Sequence, residues 1–150
     1  MKSKIRVTRE FSFEMAHVLG NYDGPCRNVH GHSYRLFVTI IGIPVNDEAN
    51  PKNGMVIDFT ELKKIVLDKI VDKFDHSVVI SSEFDSGKRQ MLENTFGNMV
   101  VVNYQPTCEN LVAGFADLLM NEMPEGLMLH SLKLYETAKS YAEWFAEDNL

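Results

Sequence analysis

Three histidines carry the strongest chemical signal in this chain. His30-Gly31-His32 sets two imidazoles two residues apart, and residues i and i+2 of a strand project from the same face. His17 ends an alternating segment just upstream. If the two segments pair as a hairpin, all three rings converge at its loop end. Three protein ligands with one position left open is the arrangement of a catalytic zinc site, whereas structural sites are usually closed by a fourth ligand. An all-imidazole set favours zinc, although spacing alone also admits nickel, iron or copper. Gly31 removes a side chain where another group must approach closely. Against this stands the plain alternative that the pair is simply two polar residues on a strand.

Other candidates surround the trio. Cys26 sits in the presumed hairpin loop beside Arg27 and four residues before His30. A cation and a nearby metal both lower a thiol's pKa, which would make a thiolate available for proton abstraction; the alternative is an inert loop cysteine. Asp75-His76 falls where a helix should end, so it is either a reactive pair or a helix-terminal histidine answering the dipole. Glu136 shares its phase with Leu132 and Leu134, which would take a carboxylate onto the apolar face of a strand, where partners are needed; an exposed strand end is the alternative. Cys108 reads as a small apolar residue at a helix start, and His130 as a core histidine.

The elements that must position these groups are legible in part. Ile5, Val7, Phe11, Phe13 and Met15 alternate with polar residues, and His17 is in phase with them, as in a half-buried strand. Residues 20–25 are dense in turn formers. A second strand is expected over His30–Ile43, with His30, His32, Tyr34, Leu36, Val38 and Ile40 on one face. Thr60 is a candidate N-cap for a helix whose apolar stripe is Leu62, Val66, Ile70 and Phe74. Pro106-Thr107 opens a second helix with Leu111, Phe115, Leu118 and Leu119 inward, stopped by Pro124-Glu125-Gly126. Residues 127–137 and 141–145 read as a closing hairpin. Residues 77–104 carry little periodicity beyond a short strand expected at Met99–Asn103. The predicted class is α+β with an antiparallel sheet, in the order ββααββ, as one domain over residues 1–150.

Composition narrows the function. A net charge of −6 argues against nucleic-acid binding, which needs a basic face, and makes any anionic substrate depend on a local basic cluster. No apolar run approaches the roughly 18 to 20 residues that cross a bilayer, and the N-terminal residues do not resemble a signal peptide. Cys26 and Cys108 are too few for a disulfide framework. A cytoplasmic protein with no membrane or nucleic-acid partner is expected.

Taken together, the residues resemble the 6-pyruvoyl-tetrahydropterin synthase and 6-carboxy-tetrahydropterin synthase family. The matching pieces are Phe11-Ser12-Phe13, Ala16-His17, Cys26-Arg27-Asn28-Val29-His30-Gly31-His32, Gly54-Met55-Val56-Ile57-Asp58-Phe59 with Leu62-Lys63, Asp75-His76, Pro106-Thr107 with Glu109-Asn110-Leu111, and Glu136-Thr137. The resemblance implies the tunnelling fold (T-fold): a four-stranded antiparallel sheet with two helices on one face, assembled into a homo-oligomer, a trimer or hexamer, with active sites between subunits. It implies Zn2+ on His17, His30 and His32. Cys26 would be the proton acceptor and Asp75 and His76 a relay pair. Glu136 would anchor a pterin ring and is sometimes grouped with the relay, with Thr107 and Arg27 also on the substrate. The cysteine ahead of His-Gly-His resembles the 6-carboxy branch of the queuosine (7-deazaguanine) pathway. That branch converts 7,8-dihydroneopterin triphosphate to 6-carboxy-5,6,7,8-tetrahydropterin, acetaldehyde and triphosphate. The alternatives are the 6-pyruvoyl-forming lyase and a non-catalytic, metal-stabilised interaction module. Arg27, Arg35 and Lys139 are candidates for the triphosphate. Three features depart from the family pattern: Met15 before Ala16-His17, Ser77-Val78-Val79-Ile80 after Asp75-His76, and the length of residues 77–104.

Overall fold

The alternating segment forms β1 (Ile5–His17), and β2 (His30–Gly42) lies antiparallel to it along its whole length, with His17 opposite His30 and Met15 opposite His32. The structure is a computed structural model describing residues 2–150. The connecting loop holds a single 3-10 turn at Pro25–Arg27. The closing hairpin is β5 (Met128–Thr137) and β6 (Ser140–Phe145), with β5 antiparallel to β2.

The first helix, α1 (Phe59–Val66), runs through a π-turn (Leu67–Val71) into a last short turn, α2 (Asp72–Phe74). Its N-cap is Asp58 rather than Thr60: the Asp58 carboxylate accepts the Thr60 N–H at 2.8 Å, and a carboxylate at this end also meets the positive end of the helix dipole. Helix α4 (Cys108–Met120) starts at Thr107, whose hydroxyl accepts the Asn110 N–H. Both helices lie on one face of the sheet. There Phe13, Tyr34, Leu36, Leu132 and Leu134 meet Leu62, Val66, Ile70, Leu111, Phe115 and Leu119 in one apolar core. Each fully buried Leu or Phe contributes about 1.5–3 kcal/mol relative to exposure.

The sheet itself corrects the expectation. With β3 (Ser77–Ser81) and β4 (Met99–Val102) it has six strands among the described residues, not four, in the order β4-β3-β1-β2-β5-β6, and it is mixed rather than purely antiparallel. Strand β3 runs parallel to β1, and β4 runs parallel to β3. They are joined by an additional helix, α3 (Ser86–Thr95). The added layer explains why β3 shows no alternation. Val79 faces the main core, while Val78 and Ile80 enter a second cluster with Val18, Phe84 and Leu92, and a strand buried on both faces reads as a continuous apolar run. Helix α3 has no buried residue, so it lacks the stripe that would have announced it. Among the described residues, no helix is long and apolar enough to cross a membrane.

Candidate active site

The antiparallel register of β1 and β2 brings the three imidazoles together. Ring centroids of His17 and His30 lie 4.5 Å apart, His30 and His32 5.0 Å, and His17 and His32 5.3 Å. One ligating nitrogen from each falls within 4.8 Å of the others. Gly31 instead eases the close approach of β1 and β2 on the other face, where a Cβ would sit 3.3 Å from the Met15 carbonyl oxygen.

Backbone carbonyls orient two of the rings. His17 Nδ1 faces the Pro106 carbonyl at 2.7 Å, and His30 Nδ1 faces the Asn28 carbonyl at 2.8 Å. A carbonyl can only accept, so both Nδ1 atoms carry the proton and a neutral ring presents Nε2 as a lone pair. These two Nε2 atoms face each other at 2.9 Å. Two lone pairs in that position repel unless a proton or cation lies between them. Burial lowers the pKa of His17 and of His32, with further lowering from neighbouring imidazoles, while the Pro106 hydrogen bond and Glu136 oppose it for His17 and Glu136 opposes it for His32. Neutral rings are therefore favoured, as metal ligation requires. His32 Nε2 is buried without a hydrogen-bond partner. A proton could serve the first pair of nitrogens, but it leaves His32 orphaned. A metal ion satisfies all three, so the residues present fit a metal.

Beside the histidines, His17, Cys26, Thr107, Cys108 and Glu136 line one cavity of about 280 Å³. Glu136 Oε1 lies 3.8 Å from His32 Nε2. Cys108 donates its thiol hydrogen to the Leu134 carbonyl, and burial, reinforced by Glu136, pushes its pKa to about 12. It is a neutral wall residue, not a second candidate thiolate.

Asp75 and His76 are not brought to this cavity. Asp75 accepts the Glu14 N–H at 2.9 Å and faces His76 Nδ1 at 3.0 Å. The Glu14 hydrogen bond, followed by His76, holds the Asp75 carboxyl below its usual range. His76 has a φ of +56°, a left-handed conformation that costs a non-glycine residue about 1–3 kcal/mol unless its surroundings hold it. Here its N–H is bound to the Glu14 carbonyl at 2.6 Å. Its side chain is 77% exposed and lines another cavity with Glu14, His32, Ser33 and Asn98. Arg27 lines a third cavity, with Lys88 and Phe84. Arg35 lies on the face opposite the histidines and is paired with Glu10 at 2.6 Å.

Comparison with known proteins places the chain. A family model described as "6-pyruvoyl tetrahydropterin synthase" matches residues 6–147. The chain belongs to that family. A 6-carboxy-5,6,7,8-tetrahydropterin synthase of Haemophilus influenzae is 36% identical over 93% of this chain and 97% of its own length. One of Rickettsia conorii is 30% identical over 93% and 99%. Among solved structures, an uncharacterised protein of Wolinella succinogenes superposes with a TM-score of 0.76 at 20% identity, covering 96% of this chain and 99% of its own. The Caenorhabditis elegans 6-pyruvoyl tetrahydropterin synthase gives 0.67 at 24%, covering 97% of each. These two likenesses concern the fold alone.

Two groups packed against the histidines escaped sequence reasoning. The Pro106 carbonyl was invisible because a backbone acceptor has no side-chain signature. Tyr34 was visible as the next inward position after His30 and His32, but an aromatic in that phase reads as core.

Proposed function

We propose that the chain is a zinc-dependent 6-carboxy-5,6,7,8-tetrahydropterin synthase. It takes 7,8-dihydroneopterin triphosphate and one water to 6-carboxytetrahydropterin, acetaldehyde and triphosphate, serving queuosine biosynthesis in the cytoplasm. The observation that carries this reading is the convergence of three imidazoles, two of them oriented by backbone carbonyls, beside a cavity lined by Cys26 and Glu136. The names of the Haemophilus and Rickettsia relatives favour the carboxy product over the pyruvoyl one.

In this reading His17, His30 and His32 hold Zn2+, which when bound supplies Lewis-acid polarisation of a substrate side-chain oxygen. The Glu136 carboxylate accepts the hydrogens of a pterin's ring nitrogen and amino group, fixing the ring in the cavity, and Thr107 lines the same wall. Cys26, at the rim, takes a proton from the substrate side chain as thiolate. Asp75 and His76 do not line this cavity within one chain, which fits a relay completed by a neighbouring subunit in a homotrimer or hexamer. Arg27, beside Cys26, is a candidate for the triphosphate together with Lys139 on the β5–β6 turn; Arg35 on the opposite face is not.

The test is a product assay. Zinc-loaded protein given dihydroneopterin triphosphate should release acetaldehyde in proportion to triphosphate. Triphosphate without acetaldehyde would identify the pyruvoyl-forming lyase, and neither product would leave a metal-stabilised interaction module.

A further inference from the structure

Tyr34 has no role in the chemistry above, yet it lies against the centre of the site. It is fully buried, and its ring is stacked on Phe13 at 5.4 Å. It meets His17 at 6.2 Å and 89°, and His32 at 5.6 Å and 82°. Its hydroxyl is buried without a hydrogen-bond partner. A buried hydroxyl without a partner is destabilising, and a phenylalanine would fill the same volume without that cost. A phenol, with an ordinary pKa of about 10, is protonated at neutral pH, and burial, followed by the Glu136 carboxylate on the cavity wall, raises it further. The hydroxyl is therefore protonated, a donor, and in the field of the Glu136 carboxylate.

The surroundings of Glu136 give that donor a use. Glu136 Oε1 lies 3.8 Å from His32 Nε2, too far for a hydrogen bond. Once Nε2 is committed to a metal it has no proton to give, so His32 cannot become a donor to the carboxylate in the loaded site. The register that sets Leu36 opposite Leu134 and Arg35 opposite Tyr135 brings Tyr34 next to Glu136 on the inner face. We propose that Tyr34 is a positioning residue whose hydroxyl donates to the Glu136 carboxylate in the metal-loaded, pterin-bound site, turning its free oxygen toward the pterin. This rests on the proposed function.

The experiment uses zinc-loaded full-length protein as wild type, Tyr34→Phe, Glu136→Gln and the double variant. Neopterin affinity is measured by isothermal titration calorimetry, alongside zinc content and melting temperature. Tyr34→Phe should keep the wild-type zinc stoichiometry, melt no lower than wild type in the pterin-free state, and bind neopterin about five- to tenfold more weakly. In the Glu136→Gln background the same change should alter affinity by less than about twofold, because the partner is already gone. Unchanged neopterin affinity in Tyr34→Phe, an equal loss in both backgrounds, or loss of zinc would each overturn the role of the hydroxyl while leaving the proposed function standing. A wild-type protein that fails to bind neopterin removes both.

Discussion

Removing the metal should lower thermal stability by an amount that can be worked out. The site is preformed: three donor nitrogens lie within 4.8 Å, and two rings are already turned by carbonyls at 2.7 and 2.8 Å. Little ordering is left for the ion to impose. Stripping it exposes the opposed His17 and His30 nitrogens at 2.9 Å and the orphaned His32 Nε2. A ligand bound only by the folded state and present at a thousand times its dissociation constant stabilises by about 4.1 kcal/mol. For a chain of this size about 1 kcal/mol moves the melting temperature by about 2–4 °C, so chelation should lower it by roughly 8–16 °C. The assay is calorimetry of zinc-loaded and chelator-stripped protein with total zinc determined in parallel. His32→Ala should remove most of the difference by removing a ligand. Equal melting temperatures with and without zinc, or full zinc occupancy in His32→Ala, would refute the ligand assignment.

Three further outcomes follow from the same geometry. Cys26→Ala should abolish acetaldehyde release while zinc content stays at the wild-type level; a variant with undiminished turnover would take the thiol out of the reaction. Co-refolding Cys26→Ala with His76→Ala subunits should recover about a quarter of wild-type activity if the relay crosses a subunit boundary, since half of the sites draw each intact group; zero recovery would place the relay within one chain. The third outcome is a pH dependence. His17 and His32 have folded-state pKa values below the ordinary 6.5, so below that pH the unfolded chain binds more protons than the folded one. Metal-free protein should therefore lose stability as pH falls from about 6.5 through the lowered values, and denaturant titrations from pH 7 to 5 showing no decline would contradict neutral buried rings.

Much of the architecture was legible because its signals are local. Strands β1 and β2, the helices beginning at Phe59 and Cys108 and the β5–β6 hairpin all carry one-faced periodicity over eight or more residues or a short connecting turn. The strand expected at Met99–Asn103 was found at Met99–Val102. Strands β3 and β4 lengthen the sheet through parallel pairing between distant segments, Met15 with Ser77 and Val78 with Met99. No turn joins such partners, and burial on both faces erases alternation.

The site divides along the same line. Residue type and the two-residue spacing were enough to nominate the three histidines, because strand geometry makes i and i+2 neighbours whatever the rest of the fold does. Only the folded structure decided which ring nitrogen is free, since Pro106, 89 residues from His17, supplies the acceptor. It also decided that Glu136 enters the cavity with Cys26 whereas Asp75 and His76 do not, because a cavity is the meeting of elements whose approach no local pattern encodes.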